Sequence, residues 1–137
     1  MTDEPPSPPD AGAHGPRARV LLVEDEPLVL QFAAAQIAGF GYAVTASSSG
    51  PEALAILERE RFDLLFTDVV LPKGMSGVEL VRRARALSPG IKVLMTSGYS
   101  EEVFQLHGRP EPGTIMLGKP YRRHDLAEAL RRALAAG

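Results

Sequence analysis

Apolar residues recur along this chain in two rhythms that take turns. Val20–Val23, Tyr42–Ala46, Phe62–Thr67, Ile91–Met95 and Thr114–Leu117 are short, nearly unbroken apolar runs. Runs of that length mark strands buried on both faces of a parallel sheet. Between them, apolar positions fall three or four residues apart, the period of a helix with one buried face. The spacing predicts a helix over Pro27–Ala38, with Val29, Phe32, Ala33, Gln36, Ile37 and Phe40 on its inner face and Gly39 and Gly41 ending it. Proline is favoured at the first helical position, which makes Glu26 the cap. Ser49 caps a second helix that buries Leu54 and Leu57. A third, Gly77–Leu87, buries Val78, Val81 and Ala84 and turns Arg82, Arg83 and Arg85 outward. The last, Arg122–Ala135, buries Leu126, Leu130 and Leu134. Ser100–Gly108 carries only a marginal helical signal before Pro110, Pro112 and Gly113 interrupt it.

Repeated strand–helix alternation predicts an α/β fold, a doubly wound sheet of five parallel strands with helices on both faces. The 137 residues suffice for one such domain. Residues 1–16, rich in proline and poor in aliphatic side chains, are expected to form a flexible tail, leaving 17–137 as the domain. A net charge of -2 argues against a basic nucleic-acid footprint. No apolar run approaches the roughly 20 residues of a spanning helix, so no membrane partner is expected. Cysteine is absent, which removes disulfides and thiolate metal sites and fits a cytoplasmic location.

The chemistry gathers at the carboxyl ends of the strands, where open α/β sheets bind their ligands. The first strand ends in Glu24 and Asp25, the third in Asp68, the fourth in Thr96 and the fifth in Lys119. Singly, each has a plain explanation: helix-start acids, a turn, a solvated lysine. Together they form one constellation. Like charges 4 Å apart repel by about 4 kcal/mol at an effective dielectric of 20. A hard divalent cation removes that penalty, and Mg²⁺ suits one or two carboxylates plus phosphate oxygens. Such a site equips Asp68 as a nucleophile toward phosphorus, with Thr96 donating to a phosphoryl oxygen and Lys119 supplying positive charge.

These motifs resemble the receiver domain of two-component response regulators over about Arg17–Ala135. The likeness rests on Val23-Glu24-Asp25-Glu26-Pro27, Thr67-Asp68-Val69-Val70-Leu71-Pro72, Met95-Thr96-Ser97-Gly98-Tyr99 and Lys119-Pro120, in order at the strand ends. The resemblance implies a flavodoxin-like strand order, 2-1-3-4-5. It implies that Asp68 accepts phosphate from a sensor histidine kinase or a histidine phosphotransfer protein. It implies Mg²⁺ held by Glu24, Asp25, Asp68 and the backbone carbonyl of Val70, and a cis bond at Lys119-Pro120. On that reading the chain signals by phosphorylation-dependent protein contact or as a relay intermediate, catalysing only its own phosphotransfer and slow dephosphorylation. It would act as a monomer or a weak dimer through the Ser100–Gly108 segment, fifth strand and last helix. No output domain is expected after the last helix.

Three departures from the family pattern stand out. Glu24 replaces the commoner aspartate, and the loop Pro72–Gly77 is one residue longer than usual, as in the receivers of hybrid sensor kinases. Met116 stands where many receivers carry an aromatic switch, which moves the expectation for that role to Tyr99. Rival readings are weaker. Gly113–Lys119 imitates a P-loop, but Pro120 replaces the required hydroxyl residue and the intervening residues form a strand. A flavin phosphate would be repelled by the acids after strand one. A receiver-fold interaction module working without phosphate is the remaining alternative.

Overall fold

The computed structural model describes residues 17–71, 74–98, 110–112 and 114–136. Its elements follow the alternation: β1 (Arg19–Val23), α1 (Pro27–Gly39), β2 (Ala43–Ser47), α2 (Gly50–Leu57), β3 (Leu64–Asp68), α3 (Gly77–Leu87), β4 (Lys92–Ser97), β5 (Ile115–Gly118) and α4 (Arg123–Ala135). The strands pair in parallel in the order β2-β1-β3-β4-β5, the flavodoxin-like arrangement. The segment 100–108, the tail 1–16, Pro72 and Tyr99 lie outside the described residues. Among the described residues, no helix is long and apolar enough to cross a membrane.

Alternation along the central strands divides the core in two. Leu21, Val23, Leu65, Val93 and Met95 face α2 and α3. Val20, Leu22, Leu64, Phe66, Leu94 and Leu117 face α1 and α4. This is why the strands read as unbroken apolar runs: both sides are covered. Burying each such side chain contributes about 1.5–3 kcal/mol by area bookkeeping. At the amino ends, Arg19 ties β1 to the start of β3. Its main-chain N–H donates to Asp63 Oδ2 at 2.7 Å and its guanidinium lies 4.6 Å from the Phe62 ring centre while pairing with Glu60.

The helix ends follow local chemistry. Ser49 Oγ accepts from the Glu52 N–H at α2, and Ser76 Oγ accepts from the Glu79 N–H at α3. Glu26 caps α1 by position but makes no side-chain cap bond. That helix also runs through Gly39; the chain turns only at Gly41, whose φ of 104° is readily reached without a side chain.

The inner face expected for α1 is corrected by the structure. Ala33 and Ile37 are buried, but Val29 is 41% exposed and Phe32 is 67% exposed, beside Leu28 at 76%. Ala33 and Ile37 form the buried line of α1, with Leu30, Ala34 and Phe40 partly buried against the same core cluster. On α3, Leu80 takes the deep position rather than Val78, and on α4 the small Ala129 and Ala133 pack more deeply than Leu134.

Gly77 marks a close approach that no side chain could share. A Cβ at this position would lie 1.8 Å from the Asp68 carbonyl oxygen, and the Gly77 N–H donates to Val69 O at 2.7 Å. Overpacking against backbone costs roughly 1–3 kcal/mol or more. Gly77→Ala is therefore expected to lower the unfolding free energy, read from the shift in urea midpoint, by roughly 1–3 kcal/mol. Gly90→Ala, where nothing lies within 4 Å, is expected to leave it near the parent value.

Candidate functional site

Strand parity brings the polar side chains to one place. Glu24 follows Val20 and Leu22, Asp68 follows Leu64 and Phe66, Thr96 follows Leu94, and Lys119 follows Leu117, each two residues on along its strand. Side chains two apart share a face. All four thus emerge at the carboxyl edge on the side covered by α1 and α4. Asp68 and Thr96 are direct partners in the β3–β4 register. The residues were expected at strand ends; their common face is what the register adds.

Glu24, Asp68 and Thr96 are buried, at 6%, 3% and 3% exposure. Buried carboxylates need a counter-charge or hydrogen bonds to stay ionised. Lys119 supplies it. Its Nζ donates to Asp68 Oδ2 at 2.7 Å and reaches Glu24 Oε1 at 3.4 Å. The Val70 N–H donates to Asp68 Oδ1 at 3.2 Å, and the Glu26 N–H donates to Glu24 Oε2 at 3.1 Å. The Val69 N–H donates to Thr96 O, which anchors the loop after β3 to β4. The Lys119-Pro120 bond is cis.

Burial pushes the Glu24 carboxyl above its ordinary range. The Glu26 N–H and Lys119 oppose that shift, while Asp68 and Asp25 reinforce it. Glu24 therefore sits close enough to both other acids to feel them. Asp25 is half-buried. Among the described residues, no three histidine, cysteine or acidic side chains form a ready-made metal cluster. A set of hard oxygen donors around Asp68 still fits Mg²⁺, which needs only one or two carboxylates and retains waters. A cation among these acids would also oppose the repulsion that Asp68 and Asp25 exert on Glu24.

Met116, on the opposite parity of β5, is 39% exposed and away from this cluster. Tyr99 lies outside the described residues. Two residues entered the site without a sequence signal. Gly77 presses on the Asp68 carbonyl, and nothing in a Ser-Gly pair before a helix announces that contact. Tyr121 lines the cleft with Glu24, Asp68, Thr96 and Lys119. Its place two residues after Lys119 was the available clue.

Comparison with known proteins agrees with this geometry. The sequence profile described as response regulator receiver domain matches residues 20–131. The chain is 32% identical over 118 residues to the response regulator receiver protein CpdR of Brucella abortus, covering 86% of this chain and 98% of that one. It is 36% identical to part of the sensor kinase CckA of the same organism, covering 85% of this chain and 12% of that protein. The receiver domain of a sensor histidine kinase from Pseudomonas aeruginosa, solved with a magnesium ion in its active-site cleft, superposes with a TM-score of 0.77 at 26% identity. That match covers 88% of this chain and 99% of the other.

The raised Glu24 pKa makes a directional statement about stability. A carboxyl whose folded pKa lies above its unfolded value of 4.5 contributes most favourably below 4.5, and that contribution is lost as pH rises through the folded value. In chelator-treated protein, Glu24→Gln is expected to raise the urea midpoint at pH 7.5. The gain should vanish at pH values below 4.5, where Glu24 is protonated in both states. A lower midpoint at pH 7.5 would contradict the assignment.

Proposed function

Because the chain belongs to the response regulator receiver family, we propose that it takes a phosphoryl group onto Asp68 from a phosphohistidine of a sensor histidine kinase or histidine phosphotransfer protein. The observation that carries this reading is the 2.7 Å contact of Lys119 Nζ with the buried Asp68 carboxylate, beside Thr96 in register. It supports a carboxylate that is held and flanked by the groups a phosphoryl transfer needs.

Transfer follows from those groups. A carboxylate oxygen of Asp68 attacks phosphorus in line with the P–N bond of the donor. That bond breaks with its electron pair going to nitrogen. A donor imidazole protonated on its second nitrogen then leaves neutral. The Val70 N–H holds Asp68 Oδ1 in place. Lys119 stays paired with the negative charge that moves onto the phosphoryl oxygens, and the Thr96 hydroxyl donates to one of them. Glu24, Asp25, Asp68 and the Val70 carbonyl would hold Mg²⁺. When bound, that ion supplies charge neutralisation on nucleophile and phosphoryl group alike.

Beside the cleft, Leu28 and Phe32 expose apolar surface on the first turns of α1, while Val29 and Ala33 of the same helix line the cleft itself. An apolar rim next to a reactive carboxylate suits docking of a protein donor. The chain would then signal in the cytoplasm by phosphorylation-dependent protein contact or by relay.

Asp68→Asn is expected to abolish labelling by acetyl phosphate with Mg²⁺, read as intact mass; full labelling of that variant would sink the site assignment. Phe32→Ser is expected to slow labelling by a protein phosphodonor roughly tenfold, the loss of about 1.4 kcal/mol of docking energy. Labelling by acetyl phosphate should stay near the parent rate. Equal slowing with both donors would remove α1 from the docking surface.

A further inference from the structure

The cleft around Asp68 has one wall that also belongs to the outside of the molecule. Tyr121 lines the cleft together with Glu24, Asp68, Thr96 and Lys119. It also lines an outer groove between β5 and α4, with Met116, Gly118, Asp125, Ala129 and Arg132. Among the described residues, no other side chain borders both. The half-buried ring packs against the core cluster on the α1–α4 side of the sheet.

The two spaces differ greatly in size. The inner cleft has a free volume of about 10 Å³, and the groove about 330 Å³. A single water needs at least about 10–15 Å³ by the same kind of measure. A phosphoryl oxygen entering this enclosed space beside Asp68 therefore requires one of its walls to move. Leu22, Phe66 and Thr96 are fixed in central strands, and Ala33 in a packed helix. Glu24 and Lys119, just beyond their strands, are held by their mutual ion pair, the Lys119–Asp68 pair and the Glu26 N–H. Tyr121 stands on the short connection between β5 and α4, outside any regular element, with open volume behind it.

We propose that Tyr121 is the movable wall of the site, a positioning residue displaced into the β5–α4 groove when Asp68 carries a phosphoryl group. It would supply the aromatic coupling that Met116 cannot, and it would change the groove's shape and depth where a partner meets it. The proposal rests on Asp68 being the phosphoacceptor. It also makes the ring, not the hydroxyl, the coupling element, since displacement follows from volume.

A thiol introduced at the groove tests this, because the chain has no cysteine of its own. Ala129→Cys places it on the groove floor. Its modification rate by a small thiol reagent is compared with and without acetyl phosphate and Mg²⁺, at phosphoryl occupancy measured by intact mass. Phosphorylation is expected to slow modification about fivefold, the low end of a typical coupling between two sites. Tyr121→Phe in that background should keep the protection, and Tyr121→Ala should lose it at equal occupancy. Tyr121→Leu, which retains apolar bulk without a ring of that size, replaces the alanine variant if the latter does not fold. Undiminished protection in Tyr121→Ala, no protection in the Ala129→Cys parent despite full phosphorylation, or loss in Tyr121→Phe would each overturn the proposal. Failure of the parent to take label at all would instead defeat the phosphoacceptor reading on which it stands.

Discussion

One ammonium group shared between two buried carboxylates is the constraint around which this molecule is arranged. Lys119 Nζ contacts Asp68 at 2.7 Å and Glu24 at 3.4 Å, and both acids lie almost fully out of solvent. A buried pair is costly to break because the remaining charge is left without a partner. The three residues come from β1, β3 and the end of β5, so the pairing requires the whole sheet to be in register. Had β5 slipped by one residue relative to β4, Lys119 would point to the other face. The apolar core fixes that register, since Leu22, Phe66, Leu94 and Leu117 line the same side immediately below the charged cluster.

The two edges of the sheet serve different ends. At the amino edge, Arg19 binds Asp63 and Glu60 and covers Phe62, and Lys92 donates to the Ala136 carbonyl. These contacts join elements across that edge. At the carboxyl edge the charges are crowded: burial holds the Glu24 pKa above the ordinary range, and two neighbouring acids add to the effect. Such tension between like charges is tolerated where chemistry benefits from it and is offset elsewhere.

Much of this was legible in the chain itself. Unbroken apolar runs located the five strands, and the one or two residues just after four of them named Glu24, Asp25, Asp68, Thr96 and Lys119. What could not be read was anything that depends on two elements meeting. Helical spacing placed Phe32 inside, but which side of α1 touches the sheet is set by how the two pack, and Leu30, Ala33, Ala34 and Ile37 take the contact instead. The need for Gly77 arises from the Asp68 carbonyl nine residues earlier in the chain. Tyr121 looked like an ordinary residue after a proline; its position between two cavities is a property of the closed fold. Strand boundaries shifted for a similar reason. Phe62 is buried yet precedes β3, and Ser97 and Gly118 extend β4 and β5 because the neighbouring strands are there to pair with them.

The balance of formal charge at the carboxyl edge has a kinetic consequence. Glu24, Asp25 and Asp68 against Lys119 leave two net negative charges, three minus one, at the mouth of the cleft. On the proposed phosphoacceptor reading, a small anionic phosphodonor would meet that field first and be repelled over roughly one Debye length, about 8–10 Å at ordinary ionic strength. A divalent cation held by these acids would cancel this field, so on the same reading cation and small donor would arrive with linked probabilities. A protein donor with positive charge around its phosphorylated side chain would be drawn in by the same field. On that phosphoacceptor reading the site would sort its donors by electrostatic character during approach, and added salt would favour the small anion and disfavour the basic protein surface.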